Sequence, residues 1–298
     1  MACSVSFMVH VGLSLMLEEP FRLAALPLLE QGVVDGLEHS FEIGWGRQTP
    51  PDWAEALLEY YAEAGRLWGH GVTMSPFSVR APHREAWLQR VAAECRRRRY
   101  RGVSEHFGFM VAGQANGGAP LPVPPGPVAA KVGIASLGRL AEITGTSVGL
   151  ENLALALSVA DVRGQGPLLT EVLEAVGGYL LLDLHNLYCQ AVNFGLDARE
   201  LLGTYPLERV QVIHLSGGSW SEPRAEGRAR RFRRDTHDGD VPDAVHGLLH
   251  EVLPRCPAVE LVVLERLGFT LQGSEAAAGF REDFMRVRAT VQERCGHG

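Results

Sequence analysis

The stretch YLLLDLHNLY, residues 179–188, runs as an apolar strand and then places Asp183, His185 and Asn186 in close succession. Other apolar runs end the same way. His70, His106, Glu151 and His214 each close one, Glu265 closes the last, and Asp235 and His237 stand in the segment RRDTHDGDV. Imidazoles and carboxylates are the usual ligands of divalent iron, manganese or zinc, and the amide oxygen of Asn186 is a hard donor that can join them. One His on an apolar strand is more often a hydrogen-bonded core residue than a ligand. A convergent set of this size is a different case, because buried carboxylates repel one another and burial penalises each charge. A single ion needs about three or four protein ligands, so this set implies roughly two or three ions with bridging carboxylates. The D-x-H spacing of Asp235 and His237 puts both side chains on one face of an extended segment. These ligand types leave open zinc-assisted hydrolysis and iron–oxygen chemistry. A solvent-facing polar rim without metal is the plain alternative.

Convergence needs a fold that gathers strand ends on one rim. Short runs rich in Val, Leu and Ile recur eight times, at 4–11, 33–40, 66–70, 100–106, 146–152, 179–186, 209–217 and 260–266. Helix-like segments lie between them: 51–64 opens with Pro-Asp, 84–98 has apolar residues at helical spacing, 128–145 ends at Gly145 and 243–253 precedes Pro254. Apolar runs without alternation indicate a parallel sheet buried on both faces, and this alternation in about 300 residues closes most economically as an α/β fold, a (β/α)8 TIM barrel. A doubly wound open sheet is the other solution. In the barrel every strand end listed above meets at the C-terminal rim, where active sites of this fold lie. No low-complexity linker divides the chain, so residues 1–298 are expected to form one domain, with PLPVPPGP at 120–127 as an extended loop.

The bulk properties are those of an ordinary soluble globular protein. The chain is 46% hydrophobic and 21% charged, with a net charge of -7 that argues against nucleic acid as a partner. No apolar run is long enough to cross a membrane, and the N-terminus lacks the basic region of a signal peptide. Five scattered cysteines without a CxxC pair suit a reducing cytoplasm. The loop 219–234 carries six arginines beside the inferred rim. It reads as a solvated loop or as a clamp in which Arg231 and Arg233 grip a peptide carboxylate. Ser216 with Gly217 and Gly218 is a candidate backbone anion site. The run Arg96 to Arg99 ends a helix on the opposite face, where cations suit the helix dipole. His10, Glu38, His39 and Glu42 are read as channel-lining or surface groups at the ends of the first two strands, and His246 and His250 as helix-surface residues.

The ordered set WGHGVTMSPFS, VSEHFGF, GLENLA, LLLDLHNLY, VIHLSGG, DTHDGDV and LVVLER resembles the multinuclear non-heme iron-dependent oxidative enzymes, a family that includes the catalytic subunit of methanobactin biosynthesis. The resemblance spans roughly residues 30 to 267. It implies a xylose-isomerase-like barrel with two or three irons and O2 as co-substrate. It also implies oxidation of a ribosomally synthesised precursor peptide, often at cysteine, and a small partner protein that presents the peptide. His70, His106, Glu151, Asp183, His214, Asp235, His237 and Glu265 fall on the family's ligand motifs, and Asn186 on an Asn commonly found there. Three departures stand out. His185 replaces a usual Asn and is assigned a catalytic role through substrate or ligand contact; SEHFGF stands for SDHLSW; and Leu267 replaces an acid. Apurinic-site endonucleases of the same barrel superfamily share much of the ligand order but have His in place of Asn186, so a metal-dependent hydrolase or isomerase is the alternative.

Overall fold

In the computed structural model, residues 9–45, 49–112, 115–222 and 231–295 are described. The chain begins with β1 (His10–Ser14), α1 (Glu19–Glu30), β2 (Gly36–Ser40), α2 (Asp52–Glu63), β3 (Leu67–Gly71), α3 (Arg84–Arg97) and β4 (Gly102–His106). A hairpin of β5 (Phe109–Ala112) and β6 (Ala115–Leu121) follows, then α4 (Pro127–Thr144), β7 (Ser147–Glu151), α5 (Val159–Val176) and β8 (Tyr179–Asp183). α6 (Leu184–Phe194), α7 (Ala198–Leu202), β9 (Val210–Leu215), α8 (Asp243–Val252), β10 (Leu261–Leu264) and α9 (Ser274–Cys295) complete the order.

The strands close in the order β1-β10-β9-β8-β7-β4-β3-β2, with parallel pairing throughout. The fold is therefore an α/β TIM barrel of the (β/α)8 type, and the open-sheet alternative is excluded. Two buried layers hold it. The larger lies between strands and helices and is built from residues such as Leu58, Val91, Leu140, Leu169, Val252 and Phe284. The smaller fills the barrel itself with Trp68, Tyr179, Leu181, Val212, Leu261 and Val263. Above that plug, inward positions switch from apolar to polar, and register aligns the change: Ser104 pairs with His70, His106 with Glu151, and Asp183 with His214.

Three local expectations change. The first strand was expected at 4–11, but residues 4–8 lie outside the described residues and β1 starts at His10. His10 therefore sits at the N-terminal face, in a cavity with Arg66, Arg101 and Glu260, away from the rim. The extended loop at 120–127 is partly taken up by the antiparallel β5–β6 hairpin, which rises from the rim after β4. The run 179–186 stops being a strand at Asp183. Its carboxylate accepts the Asn186 N–H at 2.5 Å and so caps α6 directly, which puts Asn186 in the first helical turn instead of a loop.

Candidate metal centre

Strand ends deliver most of the site. His70 ends β3, His106 β4, Glu151 β7 and Asp183 β8; His214 lies near the end of β9, and Glu265 follows β10 directly. Asn186 enters from α6. Asp235 and His237 come from the segment between β9 and α8, where His237 takes the left-handed backbone (φ 50) that few non-glycine residues adopt. The Leu267 N–H donates to the His237 carbonyl at 2.9 Å, so the position that lacks an acid still holds this segment through its backbone.

Three groups of ligand atoms fit an ion: His70, His106 and Glu151; Glu151, Asp183 and His214; Glu38, His214 and Glu265. Glu151 Oε2 lies 3.2 Å from His70 Nε2 and 3.3 Å from His106 Nε2. His214 Nδ1 lies 3.1 Å from Glu265 Oε2, and His237 Nε2 lies 2.9 Å from Asp235 Oδ1 and 3.8 Å from Glu265 Oε2. These contacts are short, yet Glu151 Oε2, Asp183 Oδ2, Asn186 Oδ1, His214 Nδ1, His237 Nε2 and Glu265 Oε2 are all buried without a hydrogen-bond partner. An orphaned buried polar atom costs about 1–3 kcal/mol, and six around one space is far from ordinary practice. In four of these side chains the other polar atom is satisfied: Glu151 Oε1, Asp183 Oδ1, Asn186 Nδ2 and His214 Nε2. Asn186 Nδ2 donates to Glu151 Oε1 at 3.1 Å and to the Asn152 carbonyl at 2.9 Å, and the Asn152 side chain bonds the Asp183 backbone in both directions. The unsatisfied set is thus the donor set that a divalent cation would take, and the residues fit such a group.

Neighbours fix which ring nitrogen is free. Ser104 Oγ gives its proton to the Gly69 carbonyl, so at 2.8 Å it accepts from His70 Nδ1. His106 Nδ1 donates to the Gly71 carbonyl at 3.2 Å. Both rings therefore offer Nε2. His214 is the reverse: Nε2 donates to Glu38 Oε2 at 2.9 Å and Nδ1 is left free. Burial lowers imidazole basicity and prevails at His106, but at the other three histidines the surrounding carboxylates outweigh it. Glu151 and Glu38 raise His70, Glu265 and Glu38 raise His214 well above the usual range, and Asp235 and Glu265 do the same for His237. Asp183 shows the converse strain: burial, then Asp235, Glu151 and Glu265, hold its carboxyl well above the usual range. At Glu265 burial is overcome by His214 and His237, and the pKa falls to about 2. In the metal-free chain, protons on these imidazoles supply the positive charge that a divalent ion would otherwise bring.

Several sequence expectations move. His185, expected to contact substrate or a ligand, is fully buried, with Nδ1 3.0 Å from Asp235 Oδ1, so it backs Asp235, itself a candidate ligand. Ser216, expected to bind substrate, is also buried and donates to Asp235 Oδ1 at 3.3 Å. Gly217 and Gly218 pack against the Asp240 and Arg234 carbonyls and leave no anion pocket. Glu38, read as channel-lining, is buried against His214 and is the residue missed; it lies in the middle of β2, and an acid inside an apolar run is the signal that could have found it. His39 is not a surface group: it is buried outside the barrel wall against Tyr100 Oη at 2.9 Å. Glu42 anchors a loop by accepting the Val72 and Thr73 N–H groups at 2.8 and 2.7 Å. His246, expected on a helix surface, is buried on Asp283 at 3.1 Å, whereas His250 is exposed. Arg98, within the arginine run, is buried between Glu55 and Glu94 and is structural. Of the loop arginines, Arg224, Arg228 and Arg230 lie outside the described residues. Arg231 lies over the Trp220 ring at 5.8 Å, and Arg233 over the Tyr188 and Trp220 rings at 5.8 and 5.9 Å.

Over this centre opens a cavity of about 400 Å³ that reaches His106, Asn186 and Asp235. Comparison with known proteins places the chain. The family model described as "RiPP precursor modification enzyme MbnB/TglH/ChrH" matches residues 45–275. A UPF0276 protein of Caulobacter vibrioides is 31% identical over 85% of this chain and 86% of its own length. Among solved structures, a D-psicose 3-epimerase from Clostridium cellulolyticum H10 is similar with TM-score 0.53 at 12% identity, covering 95% of this chain and 98% of its own. A xylose isomerase-like TIM barrel protein from Mycobacterium smegmatis, in complex with magnesium, is similar with TM-score 0.52 at 12% identity, covering 98% of this chain and 100% of its own. These structures establish the xylose-isomerase-like fold.

Proposed function

The chain belongs to the RiPP precursor modification enzyme family MbnB/TglH/ChrH, and on that premise we propose that it is an iron-dependent, O2-consuming oxidase of a ribosomally made precursor peptide, acting at a cysteine. In this reading residues 1–298 work as one domain with roughly two or three irons at the rim. His70, His106 and Glu151 would hold one ion, with Glu151, Asp183, His214 and Glu265 extending the site, and Asn186, Asp235 and His237 completing it. Iron there would supply electrons for dioxygen reduction and Lewis acidity for a substrate thiolate. A separate small protein would present the peptide, as the family resemblance implies.

The chain's own residues do the rest. Burial of Glu151, Asp183, His214 and Glu265 keeps bulk water from the centre. Ser104, the Gly71 carbonyl and Glu38 hold each histidine in one tautomer, with one nitrogen aimed inward. His185 and Ser216 hold Asp235 and are positioning residues. Arg231 and Arg233, braced on aromatic rings, present cations at the cleft edge for peptide carboxylates. Among the described residues no helix is long and apolar enough to cross a membrane.

The observation that carries this reading is the coincidence of the orphaned buried atoms with the ligand positions. Asp183→Ala and His214→Ala should each lose iron and peptide oxidation together. Full oxidation by an iron-free variant would contradict it, and tightly bound zinc with no oxygen uptake would decide for a hydrolase.

A further inference from the structure

We propose that the cavity over the cluster is a selectivity subsite for a bulky apolar side chain that neighbours, in the precursor peptide, the residue held at the metals. The inference rests on reading the cluster as the reaction centre. The floor of the cavity is formed by His106, Asn186 and Asp235, and Asn186 is only 2% exposed with its Oδ1 unpartnered. Much of the remaining lining is apolar, with Leu153, Leu155, Phe194 and Phe232 as its large side chains. Leu155 and Phe232 are each 47% exposed, which leaves large apolar surface at the mouth of a site, the usual mark of a ligand-binding face.

Two polar side chains on the lining are engaged within the protein, whereas Arg233 Nε has no hydrogen-bond partner. Asn193 bonds the Arg233 backbone in both directions, at 2.7 and 2.9 Å, and Thr236 Oγ1 donates to Asp238 at 2.7 Å. The Arg233 guanidinium lies against two aromatic rings. A neutral polar side chain packed against Leu153, Leu155, Phe194 and Phe232 would lose water without gaining a partner from them, which is costly, whereas an apolar one is favoured by burial. Consecutive Cα atoms are about 3.8 Å apart, so a residue next to one that reaches the floor sets its own side chain at the height of these walls. At about 400 Å³ the cavity takes more than a single side chain, as this arrangement requires.

The test is calorimetric titration, without oxygen, of the iron-loaded full chain with Ac-Leu-Cys-Leu-NH2, Ac-Gly-Cys-Gly-NH2 and Ac-Asn-Cys-Asn-NH2. The leucyl peptide should bind about tenfold or more tightly than the glycyl peptide, and the asparaginyl peptide, close to leucine in size but polar, no more tightly than the glycyl. The double variant Leu155→Asp/Phe232→Asp, at half-exposed positions that spare the core, should abolish the leucyl preference with iron content and glycyl affinity unchanged. Equal affinities, tighter binding of the asparaginyl peptide, or a preference that survives the double variant would overturn the subsite. The reading of the cluster fails separately, if the metal-free chain binds all three peptides as tightly as the iron-loaded chain.

Discussion

At His214 the two ring nitrogens face two carboxylates, and the difference between them decides how the residue can ligate. Glu38 takes the Nε2 proton and leaves Nδ1 free toward Glu265. Glu38→Ala should therefore weaken metal binding about 10–100-fold, with Glu38→Gln milder, because partners that orient a ligand carry effects of that size. Chelator competition reads this directly; unchanged affinity in both variants would show that Glu38 does not orient His214. A second consequence is proton linkage. His70, His214 and His237 keep protons above the ordinary imidazole range because their carboxylate neighbours outweigh burial. A divalent ion must displace those protons, so metal binding near neutral pH should release protons and affinity should fall as pH falls. Calorimetry in buffers of different ionisation enthalpy measures the release, and an affinity flat from about pH 6 to 8 would contradict it. The ligand types were readable from the sequence because each closes an apolar run. The roles of Glu38, Ser104, Ser216 and His185 were not, since they depend on which atoms meet across strands distant in sequence.

At the scale of elements, the site depends on how the segment after β9 returns to the rim. Gly218 packs against the Arg234 carbonyl and the His185 ring so closely that a Cβ would clash with backbone. Gly218→Ala should push away the stretch that carries Asp235 and His237, costing about 1–3 kcal/mol of stability and lowering metal content; wild-type metal content and melting temperature would argue against that packing. On β2, burial first and then Arg98 and Arg97 lower the His39 pKa to about 3. Between that value and the unfolded value of about 6.5 only the unfolded chain binds the proton. Stability is therefore full above about pH 6.5 and falls as pH drops, by up to about 1.4 kcal/mol per pH unit. Denaturant titrations should show a shallower acid slope in His39→Gln than in wild type, and equal slopes would refute the assignment. The barrel strands were legible because buried parallel strands read as continuous apolar runs. The β5–β6 hairpin was not, because QANGGAP lacks any apolar alternation, and α6 was hidden because Asp183 ends a strand and caps a helix at once.

For the whole molecule, closure of the barrel brings the ends of β3, β4, β7, β8, β9 and β10 to one rim, and the polar layer sits directly above an apolar plug. The resulting centre has four carboxylates and four imidazoles from Glu151, Asp183, Asp235, Glu265, His70, His106, His214 and His237 in or beside mutual contact. Such a concentration of buried ionisable groups is a cost to the apo fold that a cation relieves. Metal analysis and oxygen uptake on protein purified without oxygen test this account most directly. It predicts about two or three irons per chain, lost in Asp183→Ala and His214→Ala, with oxygen consumption only when a cysteine-containing precursor peptide is present. Stoichiometric zinc with no oxygen consumption, or oxidation that persists once iron is gone, would contradict it.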